Sequence, residues 1–240
     1  MTTSPLEDQS SHHHHRLAGL LAAVASLAVV AALALAIPRA TAQPATDASK
    51  ASHHVTTRVI TPQRLALHDD MRRLWEDHIT WTRLAVVTFA ADAKGFPATA
   101  ERLLQNQEDI GDAIKPFYGE AAGDRLTALL RDHITIAVDV LQAAKAGDAS
   151  AFADAKARWY ANADEIADFL AAANPGSWPR PMMRADMRTH LDQTLAEAAH
   201  ELSGDHAASV AEYEALHDHI LEMADMLTSG IIDQFPHQVR

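Results

Sequence analysis

The 240-residue chain has no cysteine, so it offers no disulfide, no thiolate metal ligand and no cysteine nucleophile. Glycine (9 residues) and proline (10 residues) are scarce, whereas an all-β chain would need more of both at its turns. Aromatic residues make up only 5% of the chain, and its many alanines favour thin, closely packed helices. Together these shortages predict long helices joined by short turns.

Clusters of basic residues are also missing. Acidic residues outnumber basic ones by 32 to 20, which gives a formal net charge of −12. Because binding to a phosphate backbone requires clustered Lys and Arg, this balance argues against nucleic acid as a partner. No Ser-His-Asp order, phosphate-binding glycine loop or HExxH helix occurs either, so an enzyme is the least supported class of function.

One long apolar run, residues 17–37, follows Arg16 and precedes the tripeptide 40–42, Ala-Thr-Ala. Small residues at both ends of that tripeptide match the rule for signal peptidase and predict a signal peptide over residues 1–42. The apolar run is also long enough to span a bilayer as an uncleaved anchor. Both alternatives predict an extracytoplasmic protein, either secreted or anchored to the membrane by residues 17–37, with no other membrane contact.

The rest of the chain divides into a linker and a helical domain. Residues 43–62 are small and polar without an apolar period, which predicts a flexible linker. Over residues 63–236 apolar residues recur every three or four positions, the pattern of amphipathic helices. Glycine-containing breaks divide this region into six helical segments, and we expect Gly119 and Gly123 to end the second one.

The six segments form three related pairs. The odd segments share the motif DHIT (77–80), DHIT (132–135) and THLD (189–192), and the even segments share NQEDIGDAI (106–114), NADEIADFL (162–170) and HILEMADML (219–227). A period of about 56 residues predicts three tandem αα-hairpins, which make six antiparallel helices in a helical bundle. Both a closed bundle and an open superhelix fit this repeat, and an exposed apolar helix face would favour a homo-oligomer.

One hydrogen-bonding side chain interrupts each apolar stripe near its middle. These residues are His78, Asn106, His133, Asn162, His190 and His219, and neighbours are 27 to 29 positions apart. In antiparallel helices joined by short loops, positions equidistant from a loop lie at the same height, so all six should meet in one cross-section of the bundle. Three positions further along each even segment is a carboxylate on the same face, namely Asp109, Glu165 and Glu222.

Imidazoles and carboxylates that converge from several helices are typical of metal sites in bundle cores. We therefore predict a site for copper, zinc or iron, and nearby methionines (187, 223 and 226) favour copper. The predicted ligands are His78, His133, His190, His219, Asp109, Glu165 and Glu222, supported by Asn106 and Asn162. In two other interpretations the layer binds a different small ligand, or only fixes helix register through its own hydrogen bonds.

Three motifs resemble a known family. WEDHITW (75–81), LLQNQEDIGDAIKP (103–116) and RWYANADEIADFL (158–170) are similar to segments of a family of uncharacterised bacterial helical proteins. The resemblance extends over nearly all of the predicted helical domain and implies an all-helical fold without an established activity. Some members carry enzyme names such as glycosyltransferase, but this chain lacks the alternating strand and helix segments of a nucleotide-sugar enzyme.

Overall fold

A computed structural model describes residues 60–240. In this part the chain forms α1 (Pro62–Ala90), α2 (Phe96–Tyr118), α3 (Glu120–Ala146), α4 (Ala149–Ala173), α5 (Arg180–Ser203) and α6 (His206–Gln234), and it contains no strand. The predicted all-α fold of six helices is confirmed. None of these helices is apolar over a stretch long enough to cross a membrane. The predicted signal segment 1–42 and most of the linker lie outside the described residues.

Short turns reverse the chain between helices. Gly147 and Gly204 follow α3 and α5 in the left-handed conformation, with φ of 68° and 79°, which glycine adopts without a Cβ clash. The next residue in each case, Asp148 or Asp205, accepts a hydrogen bond from a backbone N–H in the first turn of the following helix. The Gly-Asp pair therefore ends one helix and starts the next at both turns.

The six helices form a closed bundle. Each helix packs against the next one along the chain, and α1 also packs against α6. The C-terminal tail reinforces this closure, because the carbonyl of Val239 accepts hydrogen bonds from Thr61 Oγ1 at 3.1 Å and from Arg64 Nε at 3.2 Å. Of the two arrangements compatible with the repeat, the structure has the closed bundle.

Two glycines bring α2 and α3 into close contact. Gly119 alone separates these helices, whereas Gly123 lies inside α3, so the expectation that Gly123 ends the second helix was wrong. Its role is steric, since a Cβ atom at Gly123 would lie 2.6 Å from the carbonyl oxygen of Gly111. The two backbones approach so closely that neither position has space for a side chain.

We expect the Gly123→Ala substitution to lower the free energy of unfolding by about 1–3 kcal/mol, because the helices must separate to accommodate the methyl group. Gly95→Ala is the matched control, since Gly95 has φ of −76° and no atom within 4 Å of an added Cβ. Urea denaturation of both variants measures the difference. Equal stability of the two variants would contradict the close approach of α2 and α3.

Candidate site: a buried histidine layer

Three histidines from alternate helices meet inside the bundle. His78 of α1, His133 of α3 and His190 of α5 are 3%, 3% and 4% exposed, and the ring centroids of His78 and His190 are 5.8 Å apart. Asn106 of α2 and Asn162 of α4 are buried as well. Five of the six residues predicted to form the layer are therefore in the core.

The polar residues of the even helices make the same contact in all three hairpins. Asn106 Nδ2 donates to the Leu74 carbonyl at 3.0 Å, and Asn162 Nδ2 donates to the Leu129 carbonyl at 3.1 Å. His219 Nε2 lies 3.1 Å from the Asp186 carbonyl. Each acceptor is four residues before the histidine of its odd helix, one helical turn away. The sequence repeat is thus also a repeat of tertiary hydrogen bonds that connect the two helices of each hairpin.

Asn162 also determines which nitrogen of His133 carries the proton. Its amide nitrogen is directed to Leu129, so its carbonyl oxygen Oδ1 is directed to His133 Nδ1, at 2.7 Å. Since a carbonyl oxygen only accepts, His133 Nδ1 donates and the neutral ring has its lone pair on Nε2. Nε2 is buried without a hydrogen-bond partner.

The other two imidazoles differ in their partners. The Nδ1 atom of His190 is buried and has no hydrogen-bond partner. The Nδ1 atom of His78 lies 3.3 Å from Nε2 of Gln107, a fully buried amide that also donates to the Leu103 carbonyl at 2.7 Å. His133 and His190 therefore each have a ring nitrogen without a hydrogen-bond partner in residues 60–240.

All three imidazoles are neutral at physiological pH. Burial, with the neighbouring charge of His133, lowers the pKa of His78 to about 4, and burial lowers the pKa of His133 to about 4. Burial also brings the pKa of His190 well below its usual value. A neutral imidazole is the form that binds a metal ion, so no imidazolium has to lose its charge before binding at pH 7.

Two cavities adjoin the layer, and His78, His133 and His190 line both of them. The larger cavity, of about 50 Å³, is otherwise lined mostly by aliphatic side chains between α1, α2, α3 and α5. The smaller cavity, of about 30 Å³, is lined by thioether and apolar side chains. No charged residue lines either one. These volumes are enough for an ion or a few water molecules. They are far below the roughly 300 Å³ or more of pockets that hold organic cofactors.

The predicted carboxylates do not join the layer. Glu165 and Glu222 are exposed, and the Asp109 carboxylate is 38% exposed and 3.5 Å from Arg102 Nη1. His219 is partly exposed at the edge of the layer. A separation of three residues rotates a side chain about 60° away from the Asn or His before it, which is enough to direct a carboxylate to solvent. Within residues 60–240, no three histidine or acidic side chains are arranged so that they could hold a metal ion by themselves.

Several buried polar groups are not predicted by the sequence patterns above. Gln107 was not identified because it is adjacent to Asn106 and therefore is about 100° away around the helix. Glu197 and Glu201 of α5 are buried beside Arg83 of α1. They lie three or four residues from other buried positions of α5, on the same inner face. That spacing is a signal that could have identified them.

Comparisons with protein-family models, curated proteins and solved structures returned no match for this chain.

Proposed function

We propose that this chain is an exported helical-bundle protein that binds a metal ion at the buried imidazoles of the histidine layer. One observation carries the proposal: His133 Nε2 and His190 Nδ1 are buried without a partner, and both histidines line the same two cavities. Leaving a buried polar atom unpaired costs about 1–3 kcal/mol, so these two nitrogens favour binding of a ligand.

In this proposal the asparagines and the histidines of the layer have different roles. Asn106 and Asn162 bind backbone carbonyls and hold the hairpins in register. Asn162 also orients the His133 ring, as carbonyl groups next to metal-bound histidines commonly do. The proposed site is smaller than the predicted one, because it depends on His133 and His190 and excludes the three carboxylates, which are partly or fully exposed.

Export and family membership are part of the same proposal. The apolar run at residues 17–37 and the tripeptide 40–42 support cleavage before Gln43, and the motifs at 75–81, 103–116 and 158–170 support the helical family. Mass spectrometry of the protein secreted by its natural host should find Gln43 at the N-terminus. Full-length protein in the membrane fraction would favour the anchor instead.

Metal binding is tested on the full chain with the substitutions His12→Ala, His13→Ala, His14→Ala and His15→Ala, which remove an unrelated histidine tract. We expect a metal ion at 100 times its Kd to raise the Tm by about 5–10 °C. His133→Leu and His190→Leu should abolish that shift, whereas His237→Ala, at an exposed position, should keep it. The proposal fails if copper, zinc and iron all leave the Tm unchanged and no metal copurifies.

The amide contacts favour a second candidate function, in which the layer serves only helix register in a structural or interaction protein. Its support is the repeated bond from each even helix to a backbone carbonyl. In that case His133→Gln would lower stability and change nothing else. Under the metal proposal the same variant also loses metal binding. Measuring both the stability and the metal binding of His133→Gln therefore distinguishes the two candidates.

A further inference from the structure

The smaller cavity combines the layer histidines with sulfur ligands. Met71 of α1, Met187 of α5 and Met223 of α6 line it together with the three imidazoles. These methionines are 3%, 5% and 3% exposed, so the thioethers are in the core and closed to solvent. Met187 precedes His190 by three positions, and both side chains are buried on the inner side of α5.

The charges around this cavity discriminate between metals. Among residues 60–240 no carboxylate lines the cavity, and the predicted acidic ligands Asp109, Glu165 and Glu222 are partly or fully exposed. An ion bound here would keep its full charge in a region of low dielectric constant. Because the Born cost of burying an ion grows with the square of its charge, a dication costs about four times as much as a monocation of similar size. Neutral ligands therefore favour a monovalent ion.

The donor atoms lead to the same class of ion. Most zinc and iron sites in proteins include carboxylate or thiolate ligands, and this chain has no cysteine and, among the described residues, no buried carboxylate at the layer. Thioether and imidazole ligands together suit copper in its monovalent state. Within residues 60–240, histidine and acidic side chains do not form a metal site by themselves, whereas two imidazoles together with a thioether line this cavity.

We infer that the smaller cavity is a site for monovalent copper, bound by His133, His190 and at least one thioether of Met187 and Met223. This inference rests on the proposed function and specifies its ion. Binding involves no electron transfer and no covalent change in the protein. The two free imidazole nitrogens are the primary ligands, and sulfur completes a coordination shell without negative charge.

The test measures binding of Ag⁺, a redox-inert substitute for Cu⁺, by calorimetry in nitrate buffer. It uses the full chain carrying the four His12 to His15 alanine substitutions. We expect one Ag⁺ per chain, bound at least 100-fold more tightly than Zn²⁺. Met187→Leu should weaken Ag⁺ binding at least tenfold. Met226→Leu is the control, because Met226 is partly buried and does not line the cavity.

Each outcome has a separate meaning. Zn²⁺ binding that equals or exceeds Ag⁺ binding and is lost in His133→Leu overturns the monovalent site and keeps the proposed function. Ag⁺ binding that is unchanged in both Met187→Leu and Met223→Leu also overturns this inference, since the thioethers would then have no part in it. Absence of binding by both ions, in protein whose circular dichroism shows a folded bundle, overturns the inference and the proposed function together.

Discussion

Replacing Arg83 with methionine should lower the free energy of unfolding by about 3–5 kcal/mol, the usual cost of leaving a buried charge without its partner. Arg83 Nη1 is 2.8 Å from Glu197 Oε1 and donates to Ser209 Oγ, and Nη2 is 3.6 Å from Glu201 Oε2. The Glu197 and Glu201 side chains are 0% and 6% exposed. Burial already raises the pKa of Glu197, and Arg83 opposes that rise.

A second substitution separates the charge from the packing. Arg83→Met combined with Glu197→Gln removes one buried carboxylate, so it should recover at least half of the lost stability. Arg158→Met is the control, because its ion pair with Asp139 joins side chains that are 55% and 47% exposed. That control should change stability by less than about 1 kcal/mol. An Arg83→Met effect as small as the control would show that the buried cluster does not stabilise the bundle.

Lowering the pH from 7.5 to 5 should destabilise the metal-free protein, because His190 contributes through its lowered pKa, and His78 and His133 contribute about 2 kcal/mol each, about 4 kcal/mol together. The pKa of both groups falls from 6.5 in the unfolded chain to about 4 in the folded one. At pH 5 the unfolded chain binds these protons and the folded protein does not. Their contribution to stability is therefore complete above pH 6.5 and is lost as the pH falls toward 4.

Urea denaturation in the presence of a chelator measures this dependence across the range. In His133→Gln the loss of stability between pH 7.5 and 5 should be about 2 kcal/mol smaller than in the parent protein, since one of the three titrating groups is gone. Glu197 acts in the opposite direction, because burial raises its pKa and acid relieves that cost. Glu197→Gln should thus make the pH dependence steeper. A flat profile in the parent protein would show that the imidazoles are not held neutral.

The sequence predicted the fold well because the signals for it are local. The spacing of apolar residues indicated six helices, and the glycine-containing breaks marked where one helical segment ends and the next begins. Equal spacing of the polar residues predicted that His78, Asn106, His133, Asn162 and His190 share the core. Closure of the bundle depends on contacts between α1 and α6, the most distant helices in sequence, and no local pattern contains that information.

The ligand set was harder to predict than the layer. The rule that places residues three apart on one face ignores the cost of burying a carboxylate, and that cost leaves Glu165 and Glu222 in solvent. The opposite error occurred at Glu197 and Glu201, where a guanidinium from α1 makes burial of carboxylates tolerable. In both cases, whether a carboxylate is buried depends on whether a distant helix provides a positive charge to pair with it.

The central claim is that His133 is a neutral ring in the core, protonated on Nδ1, with a free lone pair on Nε2. Nitrogen-15 NMR of the imidazole side chains in metal-free protein at pH 6.5 tests it directly. For His133 we predict the shift of a protonated nitrogen at Nδ1 and of an unprotonated one at Nε2, the latter moving when Ag⁺ is added. An imidazolium, or a ring protonated on Nε2, would contradict the claim.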